Sequence, residues 1–329
     1  MKAIVFDGGL TFTHDRQKPM PVSGEALIRV TMAGICNTDM EITRGYLGFR
    51  GIIGHEFTGM VEAVGGRSRR LIGKRVVGEI NCGCRRCDLC LAGLEKHCPR
   101  RTTLGILGRE GALAEYMTLP VRNLHEIPDD LTDDEAVFAE PLAAAFEILE
   151  QIKIRPPDKV LVLGDGKLGI LCALALRLTG AELTLAGKHP SKLGIARDQG
   201  VPVVLTKDLP SNSKYDIVVE ATGSASGFEI AMELTRPRGT IVLKSTVAHG
   251  APINLAPLVI DEITVVGSRC GPFKPALKAL AEGRIDVKPL ISGVFPPEEA
   301  KKAFASAKKR GTLKVLVDFR TAGKKNRGQ

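Results

Sequence analysis

Residues 159–163 read as a compact apolar strand and residues 168–178 as an apolar helix, joined without slack by GDGKLG. Gly164, Gly166 and Gly169 give this junction the G-x-G-x-x-G form: a tight turn, a close approach of backbone to a pyrophosphate, and close packing of helix on strand. Such a series is weak evidence by itself, but between a strand and a helix it selects a dinucleotide-binding fold. The phosphates then rest on the helix N-terminus, at Lys167 and Leu168. A P-loop is excluded, because Leu168 follows Gly166-Lys167 where a Ser or Thr would be needed to hold magnesium. Further strands at 182–186, 203–205, 216–219, 240–243 and 263–266, with helices between them, complete a six-stranded, doubly wound parallel α/β sheet of the Rossmann type.

The end of the second strand of this sheet bears on the cofactor. An Asp or Glu there, about twenty residues past the glycines, binds the ribose 2′-hydroxyl of NAD. This chain has Ala186-Gly187-Lys188-His189 there and no acid among them. Nothing in that stretch repels a 2′-phosphate, and Lys188, His189 and Lys192 supply positive charge, so NADP is expected over NAD, with NAD possible. The competing reading is a solvated basic turn leading into a helix from Pro190.

The first half carries the metal chemistry. Five of the eight cysteines fall between Cys82 and Cys98, and in a chain without a secretory signal such density reads as metal binding before disulfides. Cys84, Cys87, Cys90 and Cys98 form a C-x2-C-x2-C-x7-C series, able to close four thiolates round one ion. An iron–sulfur cluster is the alternative occupant. Cys82 is the spare thiol and could exchange with Cys84; Cys172 and Cys270 lie in apolar segments and read as core, and His97 as a loop residue. A second set is Cys36, His55 and Glu56, in GICNTDME and GHEFTG. Mixed sulfur, nitrogen and oxygen donors point to zinc, and three protein ligands leave a position for water or substrate. Gly34, Gly54 and Gly59 allow these donors to converge from separate strands. Taken singly, the three residues read as a buried thiol, a core histidine and a solvated charge.

A length of 329 residues with 44% hydrophobic side chains suits two ordinary domains. Asp7 interrupts the apolar N-terminus, which has neither the signal-peptide plan nor the length to span a bilayer, so a cytoplasmic protein is expected. Net charge is +9, with basic clusters at 67–70, 308–310 and the tail GKKNRGQ, which is expected to be disordered. Short strands at 2–6, 25–32, 59–64, 75–78 and 114–119 give a β-rich first domain. At residue 132 a Thr-Asp-Asp-Glu cap opens one apolar helix that marks the change of domain. Helices at 274–282 and 297–308 and a strand at 314–318 close the chain.

Cys36-Asn37-Thr38-Asp39, Gly54-His55-Glu56, the cysteine series and the glycine turn together resemble the zinc-containing medium-chain dehydrogenases over nearly the whole chain. The resemblance implies a GroES-like, β-barrel-type catalytic domain from 1–143 and 272–329, with a structural zinc lobe at 82–98, and a Rossmann domain from 144–271. It implies one catalytic and one structural Zn2+. Ala139-Glu140-Pro141-Leu142 is similar to the segment that gives sorbitol-type members a further carboxylate, so Glu140 joins the expected metal environment. Asp39 is the expected acceptor for the ring N–H of His55, and Thr38 the relay hydroxyl between substrate and cofactor ribose. Many relatives carry a histidine three residues beyond that hydroxyl; Glu41 stands there instead and could pass a proton to water. Gly223 and Ser224 are expected beside the cofactor, and Tyr46, Phe49 and Leu107 in the pocket wall. The implied reaction is hydride transfer between a secondary alcohol or polyol and the nicotinamide, in a homo-oligomer, dimer or tetramer. Two alternatives differ in kind. A zinc-free quinone or enone reductase of the same superfamily has no need of Cys36, His55 and Glu56. A zinc-ribbon nucleic-acid binder predicts aromatic residues round the knuckle, whereas aromatics are 4% of this chain. The expected partner is thus a small alcohol or carbonyl, not nucleic acid or membrane.

Overall fold

The structure is a computed structural model describing all residues except 68, 211, 247–251 and 321–329. The basic tail lies outside the described residues. Contacts divide the chain into two compact units, one of Met1–Glu140 with the chain from Ile291 onward, the other Pro141–Leu290. The sequence-based boundaries at 143 and 271 differ from these chiefly at the second crossing. Arg177 Nη2 donates to Arg284 O at 2.6 Å and Gln199 bonds both the N–H and the carbonyl of Asp286, which holds 284–286 within the second unit.

The first unit is built on a seven-stranded sheet. Leu124–Glu126, Arg75–Gly78, Glu56–Val64, Glu25–Ile35, Lys314–Asp318 and Ile291–Phe295 lie side by side in that order, and Tyr116–Pro120 also pairs with Glu25–Ile35. All neighbours are antiparallel except the last two strands, which run parallel. Glu25–Ile35 runs three residues further than its β-branched stretch indicates, and its partner starts three residues earlier, at Glu56. The extra pairing sets Gly34 opposite Glu56 and Leu316 opposite Gly34. Smaller three-stranded sheets join Leu10–Thr13, Ala3–Phe6 and Gly51–Ile52, and Asn81–Cys82, Thr102–Leu104 and Gly108–Arg109.

In place of the single helix expected from Thr132, a short helix, Asp133–Ala136, precedes a second, Ala139–Gln151. Pro141 has no N–H to offer Val137, so a continuous helix would lose a bond there; restarting at Ala139 puts the proline in a first turn, where that donor is unused. The break carries Phe138 into full burial.

The second unit has six parallel strands in the order Val203–Leu205, Glu182–Gly187, Lys159–Leu163, Tyr215–Glu220, Thr235–Leu243 and Thr264–Gly267. Strands are added first on one side of Lys159–Leu163 and then on the other, which is the doubly wound arrangement and places ligands at the carboxyl ends of the strands. Helix Lys167–Arg177 buries every residue from Gly169 to Leu176, as a helix apolar on nearly all sides must. Gly169 sits where an added Cβ would lie 1.9 Å from Gly164 O, so no side chain fits between helix and strand.

Candidate active site

The sheet of the first unit delivers the donors. Cys36 follows the end of Glu25–Ile35 and leads into the short helix Asn37–Ile42; His55 precedes Glu56, the first residue of the neighbouring strand. A Cβ on Gly34 would stand 2.2 Å from Glu56 Oε2, so only glycine leaves room for that carboxylate opposite. The two oxygens of the Asp39 carboxylate then tie the site together. The Cys36 N–H donates to Asp39 Oδ2 at 2.8 Å, and His55 Nδ1 lies 3.1 Å from Asp39 Oδ1. With Asp39 fully buried and His55 3% exposed, the aspartate fixes the ring and leaves Nε2 as the nitrogen available to an ion.

The Cys36 sulfur, a His55 ring nitrogen and a Glu56 carboxylate oxygen lie within 4.8 Å of one another. Glu56 Oε2 pairs with Lys314 Nζ, while Oε1 is buried with no hydrogen-bond partner. An orphaned anionic oxygen is costly unless a cation takes it, and the set fits a zinc ion with an open position. Burial opposes a charge on His55, yet the neighbouring Asp39 and Cys36 hold its pKa well above the ordinary value, so the pocket favours positive charge at this spot.

Glu140 stands outside this group of three but close enough to feel it. Desolvation pushes its carboxyl up to about 7; His55 opposes, Glu56 and Glu79 reinforce, and Lys314 opposes. Thr38 Oγ1 is 3.8 Å from Cys36 Sγ. Glu41 is engaged by Arg44 Nη1 at 2.6 Å. Phe49 and Leu107 line a cleft of about 440 Å³ with Leu47, Arg50, Ile106 and Glu110, whereas Tyr46 is not among its walls.

Cys84, Cys87, Cys90 and Cys98 also gather their sulfurs within 4.8 Å. Cys82 is buried apart from them, in contact with Asn123 Nδ2 at 3.8 Å, and burial raises its thiol pKa. Within the four, a hydrogen bond from the Arg86 backbone helps pull Cys84 down to about 5, while desolvation pushes Cys90 up to about 12. Four thiols gathered this closely are a donor set that a single dication can bind as thiolates.

In the second unit, Gly166 caps helix Lys167–Arg177, so Lys167 and Leu168 occupy its first turn. Gly187 ends the second strand, and Lys188 and His189 form the turn into helix Pro190–Arg197, which carries Lys192. Gly223 has φ +75° and donates its N–H to Ser245 Oγ at 2.8 Å; Ser224 caps the following helix. Two residues escaped the sequence reading. Lys314 reads as the ordinary polar start of an apolar strand, and Asp165, inside the glycine turn, reaches His189.

Residues 22–129 match the alcohol dehydrogenase GroES-like domain and residues 168–282 the zinc-binding dehydrogenase family. The chain is 30% identical to 2-dehydro-3-deoxy-L-galactonate 5-dehydrogenase of Pseudoalteromonas atlantica, covering 87% of this chain and 89% of that one. It is 29% identical to sorbitol dehydrogenase of Bombyx mori, covering 89% and 91%. Among solved structures, an E. coli protein described as a short chain alcohol dehydrogenase, complexed with NADH, superposes with TM-score 0.89 at 26% identity over 97% of this chain and 99% of that one. A zinc-binding dehydrogenase from Sinorhizobium meliloti, bound to NADP, gives 0.87 at 28% identity over 96% and 98%. On these matches and this geometry, the chain belongs to the zinc-containing medium-chain dehydrogenase/reductase family.

Proposed function

We propose that the protein is a zinc-dependent oxidoreductase that moves hydride between a secondary alcohol or polyol, or the matching carbonyl, and a nicotinamide nucleotide, with NADP(H) favoured. The observation that carries this reading is the convergence of Cys36, His55 and the unpartnered Glu56 Oε1. Bound to these donors, zinc supplies Lewis acidity to a substrate oxygen, and the nicotinamide supplies the hydride site. The chain's own residues do the rest. Asp39 orients His55. The Thr38 hydroxyl, next to Cys36 Sγ, is placed to carry the proton of the substrate hydroxyl, with Glu41 at the solvent end. Glu140 adds a carboxyl beside the metal ligands without joining them. The four-cysteine lobe holds the structural zinc.

The glycine turn with the first-turn N–H groups of Lys167 and Leu168 receives the pyrophosphate, and Gly223 borders the cofactor. Lys188, His189 and Lys192 at the end of the second strand support NADP(H). Cysteines gathered for a metal rather than paired in disulfides support a reducing, cytoplasmic compartment, and among the described residues no helix is long and apolar enough to cross a membrane. Exposed Leu255, Val259, Ile260 and Val265 beside the edge strand Thr264–Gly267 support pairing of copies into a dimer or tetramer. The test is a panel of polyols, sugar acids and simple secondary alcohols, offered to zinc-loaded protein with NADP+ and with NAD+ while reduced nucleotide is followed by absorbance. Turnover of at least one secondary alcohol is expected; silence across the panel and its matching carbonyls with both nucleotides would refute the reading.

A further inference from the structure

The strand Glu182–Gly187 has no acid at its end, yet an acid is found there. Asp165, from the glycine turn, is 8% exposed and directs its carboxylate across to the strand end. A Cβ built on Gly187 would stand 2.4 Å from Asp165 Cβ and 2.6 Å from Asp165 Oδ2. The carboxylate therefore occupies the space of the side chain that Gly187 lacks. It is also bonded to the turn beyond: the N–H groups of Lys188 and His189 donate to Oδ2 at 2.7 and 2.6 Å, and His189 Nδ1 lies 3.0 Å from the same oxygen. Among the described residues Oδ1 meets the longer 3.2 Å approach of that ring, and a carboxylate oxygen so placed keeps acceptor capacity.

We propose that Asp165 is the specificity-determining acid of the nucleotide site, supplied from the glycine turn in place of the missing strand-end acid. The inference rests on the nicotinamide-nucleotide reading above and deepens it. An acid at the strand end is what accepts from a ribose 2′-hydroxyl and repels a 2′-phosphate. Here one carboxylate stands against the cations Lys188 and Lys192, so preference for the 2′-phosphate is restrained and NAD retains a place. The carboxylate also holds the turn, and the two roles separate on substitution. Asn at 165 keeps an oxygen for the backbone donors and removes the charge, whereas a role in holding the turn alone predicts no change in selectivity.

Dissociation constants of NADP+ and NAD+ for the zinc-loaded protein, from isothermal titration calorimetry at fixed ionic strength, test this, with the ratio of kcat/KM for the two nucleotides as a second readout. Asp165→Asn is expected to shift the ratio of affinities towards NADP+ by about tenfold, through tighter NADP+ and weaker NAD+ binding. Asp165→Ser, which also keeps an acceptor without charge, is expected to move it the same way and serves if the Asn variant does not fold. A ratio within about twofold of wild type in a folded variant, or a shift towards NAD+, would overturn the inference while leaving the cofactor reading intact. Wild-type protein that binds neither nucleotide overturns both, a result seen before any variant is made.

Discussion

The ammonium of Lys314 and the carboxylate of Glu56 form an ion pair with both side chains fully buried, one residue from His55. The pair forms because Leu316 and Gly34, and Gly34 and Glu56, are sheet neighbours, so the strand Lys314–Asp318 passes beside the strands that carry Gly34 and Glu56. Lys314 Nζ also lies 5.6 Å from the centroid of the Phe138 ring. The lysine holds one carboxylate oxygen and thereby turns the other, bare, towards the cation site.

Lys314→Met leaves Glu56 buried without its counter-charge. Loss of one member of such a pair costs about 3–5 kcal/mol, so urea unfolding of the metal-free protein should show a loss of that order. Combining it with Glu56→Gln should recover much of the loss, because the uncompensated charge is then gone. A single variant within about 0.5 kcal/mol of wild type would contradict the pairing.

Asp39→Asn retains the size of the side chain but weakens its hold on His55 Nδ1. Outer partners of metal-bound histidines are worth about 10–100-fold in affinity or activity. Zinc competition with a chelator, measured beside kcat/KM, is expected to show a fall in that range. Unchanged metal affinity and activity would mean that Asp39 serves only as the helix cap of Cys36.

Glu140→Gln separates a ligand from a neighbour. Because Glu140 lies outside the group of converging donors, zinc content should stay at the wild-type value while kcat/KM falls by about tenfold. Elemental analysis of the purified variant checks the first half; loss of one equivalent of zinc would make Glu140 a direct ligand.

Stability of the nucleotide unit should also depend on acid pH through Asp216. The N–H of Lys159 donates to this carboxylate at 2.7 Å and, with Arg236 beside it, lowers its pKa against the opposing effect of burial. A carboxyl depressed in the folded state adds stability that is present above its unfolded value, about 3.9, and is lost as pH falls through the lower folded value. Asp216→Asn should therefore lower the melting temperature at neutral pH, and the gap to wild type should close as pH falls below about 4. A gap that stays constant down to pH 2–3 would show that the charge is not responsible.

The two units were legible in the sequence because their signals are local. The glycine turn sits between a strand and a helix with the expected limits, and four cysteines within one short lobe need no distant partner to be read as a site. Cys36, His55 and Glu56 were legible as donor types, and the structure adds why they meet: the strands extend beyond their β-branched stretches to pair Gly34 with Glu56. What stayed hidden depends on pairing across long separations. Lys314 joins Glu56 over 258 residues, and nothing in KVLVD distinguishes a buried counter-ion from a solvated strand end. Asp165 was hidden differently, since the carboxylate that sits beside this strand end comes from the glycine turn and not from the strand itself. The split of the helix at Val137 and Phe138 follows from the missing N–H of Pro141, which apolar periodicity does not register.

Zinc per chain is the most direct test of the whole account, measured by elemental analysis on wild type, Cys36→Ser and Cys98→Ser, each checked for folding by circular dichroism. About two ions are expected in wild type, with Cys36→Ser retaining the fold, losing one ion and losing turnover, and Cys98→Ser losing the other ion together with stability. Folded wild-type protein with only the four-cysteine ion, or a Cys36→Ser variant that keeps both ions and its activity, would contradict the claim that Cys36, His55 and Glu56 form a catalytic metal site.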